Sequence, residues 1–166
     1  MKLQSVDKGT VDWTVTNNEI RGYNNFGIEV LAGGGATPQG GAINTTITDN
    51  TFTQPGNTPG TLTIPKQGVH FNIGTVPGDT FQACAVIRAN DLATSGGDSV
   101  PSTINFDVRL RQRQSTTIRL PGYAGAPTDS AAAAAFVAAN NPGGTAVIAS
   151  TSGSGGGFSG SGTTCP

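Results

Sequence analysis

The chain has 166 residues, enough for one domain or for one end of a longer one. Only 11% of its residues are charged and the formal net charge is −1, so no global field recruits nucleic acid or an anionic membrane. With so few charges, the polar surface has to be built from Thr, Asn, Ser and Gln, which suits strands with uncharged faces and argues against soluble helices.

In chain order, the first element alternates: Val11, Trp13 and Val15 fall on one side of a strand, Asp12 and Thr14 on the other. Trp13 reads as core. A hexad follows, Val15-Thr16-Asn17-Asn18-Glu19-Ile20, in which an apolar residue, two spacers, Asn and one spacer lead to a second apolar residue. The pattern returns as Ile47-Thr48-Asp49-Asn50-Thr51-Phe52 and as Ile87-Arg88-Ala89-Asn90-Asp91-Leu92. The first two copies are each followed by a short strand pattern, Gly27-Ile28-Glu29-Val30 and Gly68-Val69-His70-Phe71. Between copies, the Gly- and Pro-rich stretches 32–41, 54–60 and 94–102 read as projecting loops, and Leu62 and Ile64 as another alternating strand.

The repeated hexad has a physical reason. A chain that coils through parallel strands must turn sharply while its interior stays packed. The apolar residue before the turn points inward, and Asn tolerates the left-handed backbone of a corner better than most residues. Its amide can also bond equivalent Asn side chains above and below, which satisfies groups otherwise buried unpaired. Asn18, Asn50 and Asn90 are thus expected as a structural ladder. A β-sandwich with Asn in ordinary turns is the competing arrangement.

Further along, Arg109, Arg111 and Arg113 alternate with Val108 and Leu110, so the three guanidiniums share one strand face. Arg119 sits in a second alternating segment with Ile118 and Leu120. If the two strands are neighbours, four guanidiniums form a patch suited to carboxylate or sulfate groups on a glycan. A solvated face that protects a strand edge is the plainer role. Thr128-Asp129-Ser130 then supplies helix N-cap residues before the Ala-rich run 131–139, which Asn140-Asn141-Pro142 ends. Phe136 and Val137 are that helix's large apolar side chains. The Gly/Ser-rich stretch 151–162 is flexible by itself. Cys84 and Cys165 have no metal-site spacing; a bridge between them would tie the tail to the body and imply an oxidising compartment, with two separate buried thiols as the alternative.

On the three hexads, on Cys84-Ala85-Val86-Ile87-Arg88-Ala89-Asn90, and on Phe106 to Arg113 followed by Thr116 to Tyr123, the chain resembles the right-handed parallel β-helix proteins of bacterial cell surfaces. Its final third is similar to their terminal segment, with an Ala-rich piece and a Gly-rich, Cys-containing tail. The resemblance runs from about Val11 to Cys165 and implies an all-β, right-handed parallel β-helix, a single-stranded solenoid closed by a short C-terminal capping helix. The expected divisions are 1–127 for coils and terminal strands, 128–142 for the capping helix and 143–166 for the tail.

For function, this implies a non-catalytic, surface-presenting C-terminal module of a larger extracellular protein. No apolar segment follows Met1-Lys2-Leu3, which leaves a signal upstream in a longer parent or a cytosolic chain; because strand-like sequence opens at Val11, the signal is expected upstream and the chain is placed outside the cell or on its surface. The expected partners are the rest of the parent chain and an extracellular polysaccharide, with no nucleic acid, no membrane span, no cofactor and no metal. The alternatives are a polysaccharide lyase or hydrolase fragment and a carbohydrate-binding adhesin using Arg109, Arg111, Arg113 and Arg119. Hydrolysis needs two facing acids, whereas Asp12, Glu19, Glu29, Asp49, Asp91 and Asp107 are scattered along the chain. His70 reads as solvated and outward-facing.

Overall fold

Short alternating segments separated by Gly, Pro and Asn turns give short strands, and which strands join is decided by where the aliphatic rows fall. The computed structural model describes residues 1–53, 55–56, 65–97, 106–153 and 155–166. The expected strand at Leu62 and Ile64 and parts of two expected loops lie outside the described residues.

Three strands come first, β1 (Lys2–Ser5), β2 (Thr10–Thr16) and β3 (Glu19–Ile20). They are followed by β4 (Phe26–Ala32), β5 (Ala42–Thr48) and β6 (Thr51–Phe52), then β7 (Gln67–Ile73) and β8 (Gln82–Arg88). The last third holds β9 (Val108–Arg113), β10 (Thr117–Arg119), the helix α1 (Ser130–Ala139), β11 (Val147–Ser152) and β12 (Gly157–Ser159). Hydrogen bonding unites them into a first five-stranded sheet, β1-β4-β7-β9-β11, a second, β12-β10-β8-β5-β2, and a two-stranded ribbon, β3-β6. Every pair of these strands is parallel.

In-register stacking builds the core. Leu3, Val30, Phe71, Leu110 and Ala149 form one inward row of the first sheet, and Ile28, Val69, Val108 and Val147 another. The second sheet answers with Val11, Ile43, Ala83, Ile118 and Phe158, and with Val15, Ile47 and Ile87. Most of these side chains are fully buried in one continuous cluster, and each large one contributes about 1.5–3 kcal/mol. Gly27 and Gly68 mark a close approach: a Cβ on Gly27 would lie 2.7 Å from the Gly68 carbonyl oxygen.

The expected fold class, an all-β single-stranded β-helix solenoid, is corrected by this topology. The described strands make two wide parallel sheets and one small one, which with α1 form a layered arrangement of α/β type. The physical reason is the uneven distribution of aliphatic rows. Two walls carry continuous inward rows, while the third is reduced to pairs of two residues, Glu19 with Thr51 and Ile20 with Phe52. The helix is part of the core, with Ala133 and Val137 buried.

Asp129 is the N-cap of α1; its side chain accepts a hydrogen bond from the Ala132 N–H at 2.9 Å. The tail is ordered by more than one device. Cys165 is bonded to Cys84, with 5.6 Å between their Cα atoms. β12 pairs with β10, and Phe158 within it is 1% exposed. Among the described residues no helix is long and apolar enough to cross a membrane.

Candidate functional site

Two constellations carry more polar chemistry than packing requires. The first is a column of asparagines at the corner where the second sheet hands over to the two-stranded ribbon. The Asn18 N–H and Nδ2 both donate to Asn50 Oδ1, at 3.0 and 3.1 Å. Asn50 repeats the pattern on Asn90 Oδ1, at 3.1 and 2.9 Å, and Asn90 repeats it on Asn141 Oδ1, both at 3.0 Å. The Nδ2 of the last three also reaches a carbonyl one layer back: Asn50 bonds Val15 O, Asn90 bonds Ile47 O and Asn141 bonds Ile87 O, whereas Asn18 bonds Thr16 O in its own turn.

Two details differ from expectation. The left-handed residue is the one before each Asn, namely Asn17, Asp49 and Ala89, with φ of 57°, 58° and 55°. The column also has a fourth member, Asn141, just past the end of α1. Its trace in the sequence is faint: Ala138 stands three residues before it, as Val15, Ile47 and Ile87 stand before theirs.

The second constellation is the outer face of the first sheet. Arg109, Arg111 and Arg113 project from β9 on the side away from the buried Val108, Leu110 and Gln112. In register beside them stand His70 with Arg109, Asn72 with Arg111, Ser150 with Arg111 and Ser152 with Arg113. Among the described residues the ion pairs are Lys2 with Glu29 and Arg21 with Glu19, so none of the three arginines faces a carboxylate.

His70 departs from the solvated position expected of it. It is 2% exposed, the Phe26 ring lies against it at 4.2 Å, and neither ring nitrogen has a hydrogen-bond partner. Burial, and then the charges of Arg109, Arg111 and Arg113, lower its pKa to about 3. The nearby Asn72 Oδ1 is likewise buried and unpartnered. Burial also lowers the pKa of Arg109 and Arg111, helped by the neighbouring guanidiniums.

Arg119 is not part of this face. It lies on β10 in the second sheet and donates to the Ser161 and Thr164 carbonyls, which fastens the tail. The face therefore holds three arginines. No family model, curated protein or solved structure matches the chain.

The acids take local posts. Asp12 accepts from Asn44 Nδ2 at 2.8 Å, while Glu29 and Glu19 enter the two surface ion pairs. Asp107 is 5% exposed and accepts from the N–H groups of Gly96 and Ala146, at 2.7 and 2.8 Å. Asp79, fully buried, ties a loop by accepting from Gln39 N and Val76 N, both at 2.9 Å. That role has one sequence signal, the turn Pro77-Gly78-Asp79-Thr80. In the described strand registers no acid stands directly beside another, and among the described residues no three His, Cys, Asp or Glu side chains converge on a metal-sized site.

Trp13 completes the inventory. It belongs to an inward row with Thr45 and Ala85, yet it is 40% exposed because β2 is an edge strand.

Proposed function

We propose that this chain is a non-catalytic structural module of a larger secreted or cell-surface protein, closing one end of a stack of parallel strand layers and presenting its flat faces outward. The observation that carries this function is the difference between the two ends of the asparagine column. At one end Asn141 accepts from Asn90 and turns its own Nδ2 to Val137 O in α1. At the other end Asn18 Oδ1 receives no hydrogen bond from the described residues, whereas each later member accepts two. That same end carries the exposed large apolar side chains Met1, Val6 and Trp13, together with the bare edges of β1 and β2. An edge with unmet hydrogen bonds and an uncovered core row is a template for another layer. The disulfide fits an oxidising compartment.

The test adds a layer. Residues 1–27 are duplicated ahead of Met1, with Phe in place of Trp13 in the added copy. The expected result is a blue shift of Trp13 fluorescence and a higher unfolding midpoint. Replacing the added copy's Asn18 by Leu should lose most of the gain. Unchanged Trp13 emission with an unfolded extension refutes the layer-accepting end. Turnover of polygalacturonate that is lost when Asp12 or Glu29 is changed to its amide refutes the non-catalytic assignment.

A further inference from the structure

We propose that the outer face of the first sheet binds an acidic polysaccharide, through charge-assisted hydrogen bonds from Arg109, Arg111 and Arg113 to carboxylate or sulfate groups spaced along the polymer. This goes beyond the structural role and does not depend on it. Three observations converge.

The arginines are uncompensated. A chain with a net charge of −1 places three of its nine Lys and Arg side chains on one face of one strand, and among the described residues none of the three pairs with a carboxylate. Like charges two residues apart on a strand are separated by about 6.6 Å and repel. An ordinary solvated face would intersperse acids. Guanidiniums in a row offer planar forks that donate to a carboxylate or sulfate at each step.

The surroundings are neutral and rich in hydrogen-bonding groups. Ser150 and Asn72 flank Arg111 and Ser152 flanks Arg113, while the apolar Ile148 lies beside Arg109, so hydroxyl and amide groups near Arg111 and Arg113 lie where the hydroxyls of a sugar would fall. The one aromatic ring in register with the arginines, His70, is 2% exposed and offers no open face on which a base could stack, which favours a polysaccharide over single-stranded nucleic acid.

Unmet polar capacity lies next to the stripe. The His70 nitrogens and Asn72 Oδ1 are buried without partners, immediately in register with Arg109 and Arg111. Among the described residues the charged groups around His70 are Glu29 on β4, which pairs with Lys2 of β1, and the three arginines of β9. An anion seated on the arginines cancels part of the field that keeps His70 neutral. His70 is the only histidine of the chain, so its ring resonances report occupancy without ambiguity.

The experiment measures binding of the intact, oxidised chain to heparin and to polygalacturonate, with dextran as the neutral control and single-stranded DNA as the competing polyanion. Binding is expected to both acidic polymers, to fall steeply with added salt, and to be absent for dextran. Changing Arg111 to Gln should weaken it about tenfold, and the triple change at Arg109, Arg111 and Arg113 should abolish it. R111K keeps the charge and loses the fork, and should be intermediate. Arg119→Gln should leave binding unchanged. In the unsubstituted chain, saturating heparin should move the His70 titration upward. Equal binding by the triple variant, equal loss in R119Q, tighter binding of DNA than of either polysaccharide, or an unmoved His70 under saturating ligand would each overturn the proposal.

Discussion

Replacing Asn90 separates a hydrogen-bonded column from a row of conventional turns. Asn90 is fully buried and its amide is fully engaged: its Oδ1 accepts from the N–H and Nδ2 of Asn50, and the two N–H groups of its Nδ2 are shared among Ile47 O, Arg88 O and Asn141 Oδ1. Asn90→Leu removes the side-chain acceptor of the Asn50 N–H and takes a donor from two carbonyls. A buried group left unsatisfied costs about 1–3 kcal/mol, so the sum is about 3–5 kcal/mol. Asn18→Leu has a different reach. Asn18 is exposed, and after its replacement the Asn18 N–H still donates to Asn50 Oδ1, so the loss is about 0.5–1.5 kcal/mol.

The assay is urea unfolding followed by far-ultraviolet circular dichroism, with the slope compared among variants. Asn90→Asp sharpens the test because shape is conserved. Its second oxygen would face three acceptors, so the folded state favours the protonated acid and its folded pKa lies above the unfolded one. The damage is then smallest at acid pH and grows as pH rises through the folded pKa. Losses at Asn90 and Asn18 that agree within about 0.5 kcal/mol would refute the column as a stabilising device.

Three further outcomes follow from single features. The bridge between Cys84 and Cys165 spans 81 residues, for which the chain-entropy model gives about 4.5 kcal/mol, so reduction should lower the urea midpoint steeply. Even so, β12 should stay docked, with slow hydrogen exchange at the Phe158 and Leu120 amides, because Pro127 O and Ser159 O still receive them. Ala89 holds φ at 55° without the local hydrogen bonding that eases Asn or Asp into that region, so Ala89→Gly should stabilise by about 1 kcal/mol and raise Tm by about 2–4 °C, read by calorimetry. His70, with a folded pKa of about 3 against about 6.5 unfolded, binds its proton more readily in the unfolded chain. Stability therefore falls by up to about 1.4 kcal/mol per pH unit as pH drops from 6.5 towards 3, and the difference between unsubstituted protein and His70→Gln isolates that slope.

The legible part of the sequence is its local chemistry. Alternation at Val11 to Val15 and at Val108 to Arg113 marks strands, the Asp129 cap with its Ala run marks the helix, and the hexad spacing tracks residues that share hydrogen bonds in the structure. What alternation does not encode is which strands become neighbours. That depends on register over separations of 27 to 41 residues, as in Lys2 with Glu29 and Ile28 with Val69, so the sheet architecture is not legible in local alternation. The same gap explains Arg119, which shares the apolar-Arg-apolar pattern of β9 yet lies in the other sheet. Trp13 and His70 fail in opposite senses for one reason. Burial is a property of the finished stack: an inward Trp on an edge strand remains exposed, while an outward His beneath Phe26 does not.

The arginine stripe should leave a thermodynamic mark even without a ligand. Adjacent guanidiniums about 6.6 Å apart repel by about 0.6 kcal/mol per pair under water-like screening, so two adjacent pairs cost about 1 kcal/mol. If the stripe is retained for binding, the variant with Gln at Arg109, Arg111 and Arg113 should be more stable than the unsubstituted chain at low salt. The gap should close towards 1 M salt, where the screening length is about 3 Å. Heparin should reverse the order, because a ligand that binds only the folded state stabilises by about 2.7 kcal/mol at a hundredfold excess over Kd. Thermal unfolding of both proteins, with and without heparin at two salt concentrations, gives the complete comparison. A triple variant less stable than the parent at low salt would mean that the arginine stems contribute packing that outweighs their repulsion, and the charge row would then be explained without any ligand.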